Sequence, residues 1–260
     1  MRQLFAEVLS NEAVMEGMNL MWLSAPEIAQ EARPGQFLLV RCGDGYDPLL
    51  RRALSIHHVG SPTPSAPTRG CALLYGVYGP ATSALGRLRA GDKLDVLGPL
   101  GRGFTVHQAS RSLLLVASGW GIASLVALAE QQVAAGRSVT LLAGAADAAH
   151  LYPAELLAPE IELVVATEDG SVGYAGHVTD LVSDYWTWAD EIYASGPISM
   201  YPVLAQCMEA CWPRKPVQVL AEMPMACGVG ACYACAIETK RGPKLVCRDG
   251  PRFFLSDLLF

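Results

Sequence analysis

The stretch Leu113-Leu114-Leu115-Val116-Ala117-Ser118-Gly119-Trp120-Gly121 decides the architecture of the chain. Its first five residues are all apolar, which is typical of a strand that is buried on both faces of a parallel sheet. The glycine-rich turn leads into residues 122–135, whose apolar pattern predicts a helix. A buried strand, a glycine-rich turn and a helix in this order favour phosphate binding, because free N–H groups and the helix dipole meet at the turn.

Downstream of this stretch, strands alternate with helices as far as residue 220. The pattern predicts strands at 138–143, 161–166 and 191–194, and helices at 153–157, 177–185 and 200–211. Alternating strands and helices form parallel sheets with right-handed crossovers. We therefore assign residues 107–220 to a parallel-sheet α/β domain of the nucleotide-binding kind.

Upstream, residues 1–106 consist of short β-rich runs separated by glycine and proline. Such runs lie at 37–41, 53–57, 72–77 and 93–96, and the sequence GPLGRG at 98–103 closes the region. Several short strands at this spacing predict a small antiparallel β-barrel. The expected fold is therefore a β-barrel followed by an α/β domain.

Length and composition limit the classes of protein that need be considered. The chain has 260 residues, 52% hydrophobic and 17% charged, which suits two well-packed domains and excludes disorder. A net charge of −6 gives no reason to expect nucleic acid or anionic lipid as a partner. The apolar runs are too short to cross a bilayer, so we expect a soluble, cytoplasmic protein. No catalytic triad, paired acid/base site or zinc-hydrolase motif stands out.

The last 40 residues, 221–260, are expected to form a third, small unit organised by a metal centre. Half of the eight cysteines lie here, with the spacing C-x4-C-x2-C-x11-C: Cys227, Cys232, Cys235 and Cys247. The first three follow the plant-type pattern for a [2Fe–2S] cluster. The small residues Gly228, Gly230 and Ala231 would let backbone N–H groups approach the sulfides.

Two other interpretations of these cysteines remain open. Structural zinc usually shows paired C-x2-C knuckles, and only Cys232 and Cys235 form such a pair. A disulfide is the other alternative. The remaining cysteines read as small buried hydrophobic residues, although Cys207 and Cys211 are four apart on one helical face, where a metal or redox role is possible.

A series of motifs runs through the chain in a fixed order. They are Arg52-Ala53-Leu54-Ser55, Leu73-Leu74-Tyr75, 79–82 (GPAT), 98–101 (GPLG), 167–171 (TEDGS) and 225–232 (MACGVGAC). Over essentially its whole length the chain resembles the electron-transfer subunit of class 1B, NAD-linked dihydroorotate dehydrogenase, within the ferredoxin–NADP reductase superfamily. The cysteine block is the most specific part of the resemblance.

The resemblance implies FAD on the barrel. Arg52 would meet the FAD pyrophosphate, because a guanidinium matches phosphate bidentately, and Ser55 would lie near the flavin N5. The full set of implied FAD contacts is Arg52, Ala53, Leu54, Ser55, Leu74, Tyr75, Gly76, Ala81 and Thr82. His57 and His58 adjoin this strand, where consecutive side chains are expected to face opposite ways.

The resemblance also implies NAD(H) on the second domain, at Gly119, Gly121, Ser195 and Gly196. The chain departs from the family pattern at Ala53, Gly76, Ala81, Ser118, Trp120, Ser124, Ala146 and Ser195. Most departures lie in the nicotinamide half, where the bulky Trp120 is expected to narrow the entrance.

The implied mechanism is an electron chain of NAD(H), FAD, a [2Fe–2S] cluster and a partner flavoprotein. A flavin belongs between the outer members because it exchanges both hydride and single electrons. The implied partner is an FMN-containing barrel subunit that oxidises dihydroorotate to orotate in pyrimidine biosynthesis, in a heterotetramer with two of each chain. Two alternatives stay open: a subunit of another NAD(P)H-linked reductase, and a redox carrier or sensor that has lost nicotinamide binding.

Overall fold

The computed structural model describes residues 1–43, 45–62 and 69–260. Six antiparallel strands close into a barrel in the order β1-β2-β5-β4-β3-β6. Their bounds are β1 Arg2–Met15, β2 Met18–Ser24, β3 Phe37–Val40, β4 Arg52–Gly60, β5 Gly70–Gly76 and β6 Lys93–Leu100. Two short helices, α1 (Pro26–Glu31) and α2 (Pro80–Gly86), complete this part of the chain.

The barrel interior is filled by aliphatic side chains from every second strand position. Val8, Leu38 and Ile56 are fully buried there, and the two short helices add Ile28 and Leu85 to the same core. Each fully buried aliphatic side chain contributes roughly 1.5–3 kcal/mol to the stability of the folded state, relative to an exposed one. The predicted antiparallel barrel is therefore confirmed, and its interior is a hydrophobic core.

A seven-stranded sheet follows, in the order β10-β9-β8-β7-β11-β12-β15. Its strands are β7 Ser112–Ser118, β8 Ser138–Ala145, β9 Glu162–Thr167, β10 Tyr174–Ala175, β11 Glu191–Ser195, β12 Val217–Leu220 and β15 Arg252–Phe254. All pairs are parallel except β12 with β15. The helices are α3 Ile122–Ala134, α4 Val182–Trp186 and α5 Met200–Ala210. The short strands β13 Ala236–Ile237 and β14 Lys244–Leu245 pair with each other, and helix α6 Val246–Asp249 follows them. The strand order reverses between β7 and β11, and such a switch point is where α/β sheets bind ligands.

Strand β7 is buried on both faces, as its apolar run predicts. Leu113 and Leu115 pack with α3, whereas Leu114 and Val116 pack on the opposite layer with α4 and α5. In the described part of the chain no helix is long and apolar enough to cross a membrane. The longest helix, α3, has 13 residues.

The structure departs from the predicted elements in three places. The helix expected at 153–157 is wrong: only a 3₁₀ turn, Ala154–Leu156, forms there, because the segment between two prolines is too short to sustain a helix. The helix expected at 177–185 is a 3₁₀ turn, Val178–Leu181, that continues into α4. The strand β15 comes from the last unit and pairs with β12, so that unit joins the sheet. The division at residues 106 and 220 stays a prediction.

The barrel meets the sheet domain through two histidines on β4. His57 is fully buried, and its ring nitrogens hydrogen-bond to the Ala123 carbonyl (3.1 Å) and the Tyr152 hydroxyl (2.9 Å). His58 pairs with Glu130 at 2.8 Å. The expectation that the two rings face opposite ways is wrong, because a β-bulge between Ile56 and His58 turns both rings towards α3.

The burial of His57 gives a pH-dependent stability. Burial, aided by the neighbouring His58, holds the pKa of His57 well below its ordinary value of 6.5. Below pH 6.5 the unfolded chain therefore takes up a proton that the folded chain refuses, and the free energy of unfolding falls by up to about 1.4 kcal/mol per pH unit. We predict that His57→Gln flattens this fall between pH 6.5 and 5, measured by urea denaturation. An unchanged slope would contradict the assignment, and His107→Gln, at an exposed histidine, is the matched control.

Candidate functional site

A cavity of about 420 Å³ lies between the barrel and the sheet domain. One wall is strand β4 with Arg52, Ala53, Leu54 and Ser55; β5 adds Leu74, Tyr75 and Gly76, and α2 adds Thr82. The opposite wall is formed by Trp120, Ala123 and residues 220–225. The structure therefore brings eight of the nine expected FAD contacts into one cavity. The ninth, Ala81, lies in the barrel core and is absent from the lining.

The adjacent arginines Arg51 and Arg52 have different environments. Arg51 binds the buried Asp95 at 2.6 Å and also donates to its carbonyl at 3.1 Å, so it is occupied within the barrel. Arg52 donates only to the Leu50 carbonyl (2.6 Å) and meets no carboxylate within 4 Å among the described residues. Its guanidinium therefore supplies the free positive charge at the cavity.

The other polar groups of this wall divide between structure and cavity. The Tyr75 hydroxyl donates to Asn11 Oδ1 at 2.9 Å, and burial raises the pKa of Tyr75. The Thr82 hydroxyl accepts from the backbone N–H groups of Tyr78 (3.0 Å) and Gly79 (3.3 Å). Tyr75 and Thr82 thus hold the barrel and the start of α2 in place.

Three side chains from separate elements meet at the mouth of the cavity. The Trp120 indole N–H donates to Glu222 Oε2 at 3.0 Å, and its ring meets Tyr78 edge-on with 5.9 Å between centroids. Burial raises the pKa of Glu222, while the indole N–H acts in the opposite direction. Trp120 and Tyr78 expose about half or more of their surface, and so they partly cover the cavity.

The sequence did not point to Tyr78 or Glu222. The signal that was available for Glu222 is an acidic residue two positions after the buried strand β12 and five positions before the first cysteine of the block.

Three of the four expected nicotinamide residues, Gly121, Ser195 and Gly196, lie against one another. A Cβ on Gly121 would lie 2.0 Å from the Ser195 carbonyl oxygen, so only glycine permits this contact. Ser195 is fully buried, and its hydroxyl is the single buried side-chain polar atom without a partner in the described part of the chain. A buried hydroxyl left unpaired costs free energy, which marks this point as a place for a polar ligand group.

A second cavity, of about 330 Å³, lies at the carboxyl ends of the parallel strands. It is bounded by Ser118 after β7, Gly144 in β8 and Pro197 after β11. Its lining includes the carboxylates of Glu168 and Asp180 and the imidazole of His177. The cavity occupies the switch point of the sheet, although Gly119, Gly121, Ser195 and Gly196 themselves do not line it.

The cysteine loop has the backbone that its glycines predict. Gly228 and Gly230 adopt left-handed φ values of +68° and +83°. A Cβ on Gly228 would lie 2.4 Å from Leu39 Cδ1 of the barrel. The loop is therefore folded tightly against the barrel wall.

The four sulfurs stand as two pairs. Cys227 interacts with Cys232, and Cys235 interacts with Cys247, whose N–H donates to Cys235 Sγ at 3.4 Å. Among residues 1–43, 45–62 and 69–260 no three His, Cys, Asp or Glu side chains are gathered closely enough for one metal ion. A two-iron cluster takes two thiolates on each iron, so two pairs fit its donor set.

Backbone amides support the first sulfur of the loop. The N–H groups of Val229 (3.5 Å) and Ala231 (3.3 Å) donate to Cys227 Sγ. Burial acts to raise the pKa of Cys227, but these and neighbouring hydrogen bonds outweigh it and lower the pKa to about 6. The thiolate, which is the ligand form, is thereby favoured at neutral pH.

The cavity and the cysteine loop are continuous. Met223 and Met225 line the cavity, and the chain passes from Met225 to Cys227 through a single residue. Phe37 of the barrel also lines the cavity and belongs to the same packed core as Cys235 and Cys247. A group in the cavity and a group on the sulfurs would therefore be near neighbours.

Known proteins resemble the chain over nearly its whole length. Residues 222–259 match the model of the iron–sulfur cluster binding domain of dihydroorotate dehydrogenase B. The "Dihydroorotate dehydrogenase B (NAD(+)), electron transfer subunit" of Desulforamulus reducens is 38% identical over 256 residues, 95% of either chain. The chain belongs to this family. The corresponding protein of Bacillus caldolyticus is 37% identical over 252 residues, 95% of this chain and 94% of its own.

Solved structures share the fold of this chain. A chain from the structure of an NADH-dependent reduced ferredoxin-NADP oxidoreductase aligns with a TM-score of 0.85 and 27% identity, covering 98% of this chain and 90% of its own. The ferredoxin reductase of carbazole 1,9a-dioxygenase aligns with a TM-score of 0.66 and 19% identity, over 82% of this chain and 67% of its own. The predicted family and fold class are confirmed.

None of the eight cysteines forms a disulfide, neither the four of the loop nor the four that lie elsewhere in the chain. Cys42 and Cys71 are buried in the barrel core, and burial raises the pKa of Cys71 to about 12. The sulfurs of Cys207 and Cys211 are 3.8 Å apart at the end of α5. Burial raises the pKa of Cys207 to about 11, which leaves it in the less reactive thiol form at neutral pH.

The two adjacent arginines provide a test of the cavity. We predict that Arg52→Ala weakens FAD binding by roughly 10- to 100-fold, since a charged hydrogen bond contributes about 1.5–3 kcal/mol, and that it leaves the free energy of unfolding of the apoprotein nearly unchanged. Arg51→Ala should lower that free energy by about 1–3 kcal/mol, because it leaves Asp95 buried without its counter-charge. FAD fluorescence titration and urea denaturation distinguish the two effects. Equal loss of FAD affinity in both variants would refute the assignment.

Proposed function

We propose that this chain is the electron-transfer subunit of an NAD-linked dihydroorotate dehydrogenase, in which it holds FAD and a [2Fe–2S] cluster. Electrons taken from dihydroorotate on a partner chain pass through this subunit to NAD+, as one step of pyrimidine biosynthesis. The single observation that carries the proposal is the continuity of the barrel cavity with the four-cysteine loop, in a chain 38% identical to such a subunit over 95% of its length.

The cavity fits a flavin in shape and chemistry. Its lining is mostly apolar, as a planar ring system requires, and Arg52 supplies a free guanidinium for a pyrophosphate. We assign Ser55 to the flavin ring and residues 79–82, at the start of α2, to the phosphates. When bound, FAD exchanges hydride with a nicotinamide and single electrons with a cluster.

The cysteine loop fits a [2Fe–2S] cluster. Cys227 with Cys232, and Cys235 with Cys247, supply two thiolates for each iron. The amides of Val229 and Ala231 already donate towards sulfur, and such bonds stabilise the added negative charge of a cluster. Burial of Cys235 and Cys247 limits the access of water to one of the two irons.

The sheet domain supports NAD(H) binding. Its second cavity lies at the switch point, and its charged lining groups include two carboxylates, Glu168 and Asp180, and no lysine or arginine. This charge disfavours an added 2′-phosphate and so favours NAD over NADP. The turn at Gly119 and Gly121 and the unpaired Ser195 hydroxyl lie between this cavity and the first, where we place the nicotinamide.

The organic substrate is assigned to a partner chain. We propose an FMN-containing catalytic subunit, in a complex with two copies of each chain, and place the cysteine loop at the interface. Every cysteine is a free thiol, which agrees with the reducing cytoplasm that we propose as the location.

Two alternatives have specific observations behind them. The alignment with the ferredoxin-NADP oxidoreductase chain at a TM-score of 0.85 favours a subunit of another multisubunit reductase. The bond from Trp120 to Glu222 across the cavity mouth favours a redox carrier that no longer admits nicotinamide. The identity to dihydroorotate dehydrogenase B subunits favours the first proposal over both.

The native complex provides the direct test. We predict that it contains FAD, acid-labile sulfide and an FMN subunit, and that anaerobic dihydroorotate bleaches its flavin absorbance and yields NADH from NAD+. NADH alone should bleach the FAD of the isolated chain in stopped-flow mixing. Full FAD content without bleaching by NADH would establish the carrier, whereas other redox subunits and no response to dihydroorotate would establish another reductase.

Cys235→Ser provides the test of the cluster. We predict loss of most acid-labile sulfide and of the EPR signal of the reduced protein, because one iron loses a buried thiolate. FAD content should remain close to that of the unchanged protein, since Cys235 does not line the cavity. The matched control is Cys211→Ser, at a cysteine outside the loop. Stoichiometric zinc without sulfide would overturn the cluster assignment.

A further inference from the structure

A third cavity, of about 380 Å³, is lined by residues of the cysteine unit and by Arg102. Four cationic side chains line it: Arg102, Arg241, Lys244 and Arg252. They come from the segment after β6, from the strand β14 (Lys244–Leu245) with the turn before it, and from β15. We call this cavity the basic pocket.

The positive charge of the basic pocket is only partly neutralised. Asp249 lines it but already binds Arg248 at 3.3 Å and accepts the N–H of Leu245 at 2.9 Å. Asp257 lies 3.8 Å from Arg241. Arg102 and Lys244 have no carboxylate within 4 Å in the ranges of chain that the structure describes. Lys244 also attracts Asp249 electrostatically, and among the described lining residues four cations face two carboxylates. The pocket therefore keeps an excess of positive charge.

Arg252 is a partly buried cation that lies close to a second cation, Arg102. Burial lowers its pKa, and the nearby charge of Arg102 lowers it further. Its guanidinium lies over the ring of Phe254, 5.4 Å from the centroid, and its Nε donates to the Gly103 carbonyl at 3.4 Å. These contacts hold the charge in place next to a like charge, an arrangement that an incoming anion would stabilise.

The charge distribution of the whole chain follows the same division. The cysteine unit, residues 221–260, contains five lysines and arginines and four acids, whereas the chain as a whole carries a net charge of −6. Lys244 lies three residues before Cys247, so its Cα atom is at most about 11 Å from that of Cys247. The cationic surface is thus next to the sulfurs.

We propose that the basic pocket receives a carboxylate-bearing segment of the catalytic subunit and thereby sets the docking of that subunit over the cysteine unit. The proposal rests on the proposed function, because it requires the partner chain. Arginine and aromatic side chains are the kind of groups that dominate protein interfaces, and here an arginine lies over an aromatic ring beside further cations. Opposite charges across such an interface orient the partner and accelerate association.

The surroundings favour a protein partner over a small free anion. Phe254 is 36% exposed beside the pocket, and on the cysteine loop Val229 and Tyr233 expose 46% and 66% of their surface. Apolar and aromatic groups around charged anchors are typical of interfaces between subunits. A site for free phosphate would need no exposed apolar surroundings.

The test uses the FAD- and iron-loaded chain and the separately purified catalytic subunit. Their dissociation constant is measured by calorimetry at 50 and 500 mM NaCl for the unchanged chain, Lys244→Gln, Lys244→Glu and Arg102→Glu. We expect weaker binding at high salt, and a loss of roughly 10- to 100-fold for the charge reversals with a smaller loss for the neutral variant. Lys93→Glu reverses an exposed charge on the barrel and is the matched control.

Each outcome bears on one proposal. If the unchanged chain does not bind the catalytic subunit at either salt concentration, the proposed function fails. If it binds but both charge reversals match Lys93→Glu, while their visible and EPR spectra show an intact cluster, the docking proposal is overturned. Submillimolar binding of inorganic phosphate to the chain alone, abolished by Lys244→Glu with subunit affinity unchanged, would instead make the pocket a small-anion site.

Discussion

The contact between strand β4 and helix α3 fixes the position of the two walls of the FAD cavity. His57 lies two residues after Ser55 in β4, and its ring binds the carbonyl of Ala123, which lines the opposite wall. The second ring nitrogen is held by Tyr152, so the imidazole is fully satisfied and buried as the neutral form. His57, together with the His58–Glu130 pair, thus holds the barrel against the helix that follows the turn of Trp120. The width of the cavity depends on these contacts.

Periodicity and spacing predicted the architecture because they report burial directly. Strand β7 is apolar on both faces and lies in the middle of the sheet. The small residues of the cysteine block predicted close approach of the backbone to sulfur, and the N–H groups of Val229 and Ala231 donate to Cys227 Sγ. The helix expected at 153–157 failed because a short apolar segment carries no information on whether it can complete several turns. The bulge before His58 was equally hidden, since one inserted residue leaves the composition of a strand unchanged.

The resemblance implied which positions line the candidate site, but it did not show which of their side chains are already bound within the protein. Arg51 and Arg52 are identical in type and adjacent, and only the distant Asp95 separates a structural cation from a free one. Glu222 acquires its place through Trp120, which lies 102 residues earlier in the chain. Ser195 was expected near the nicotinamide from the resemblance, but only the structure shows that its hydroxyl is buried without a partner among the described residues. Such roles depend on contacts between distant segments, which local patterns do not encode.

The pairing of β15 with β12 has a consequence for how the cysteine unit works. The unit leaves the sheet at Leu220 and returns to it at Arg252, and the N–H of Ala221 donates to the Pro251 carbonyl at 2.9 Å. Both ends of the unit are therefore hydrogen-bonded to the same edge of the sheet. The cysteines are thus held against the rest of the chain and are not carried on a flexible linker. The distance between the cavity and the four cysteines is therefore constant, and an electron crosses it without a movement of the cysteine unit. Electron transfer within the subunit should be indifferent to solvent viscosity, unlike that of redox modules that swing between donor and acceptor.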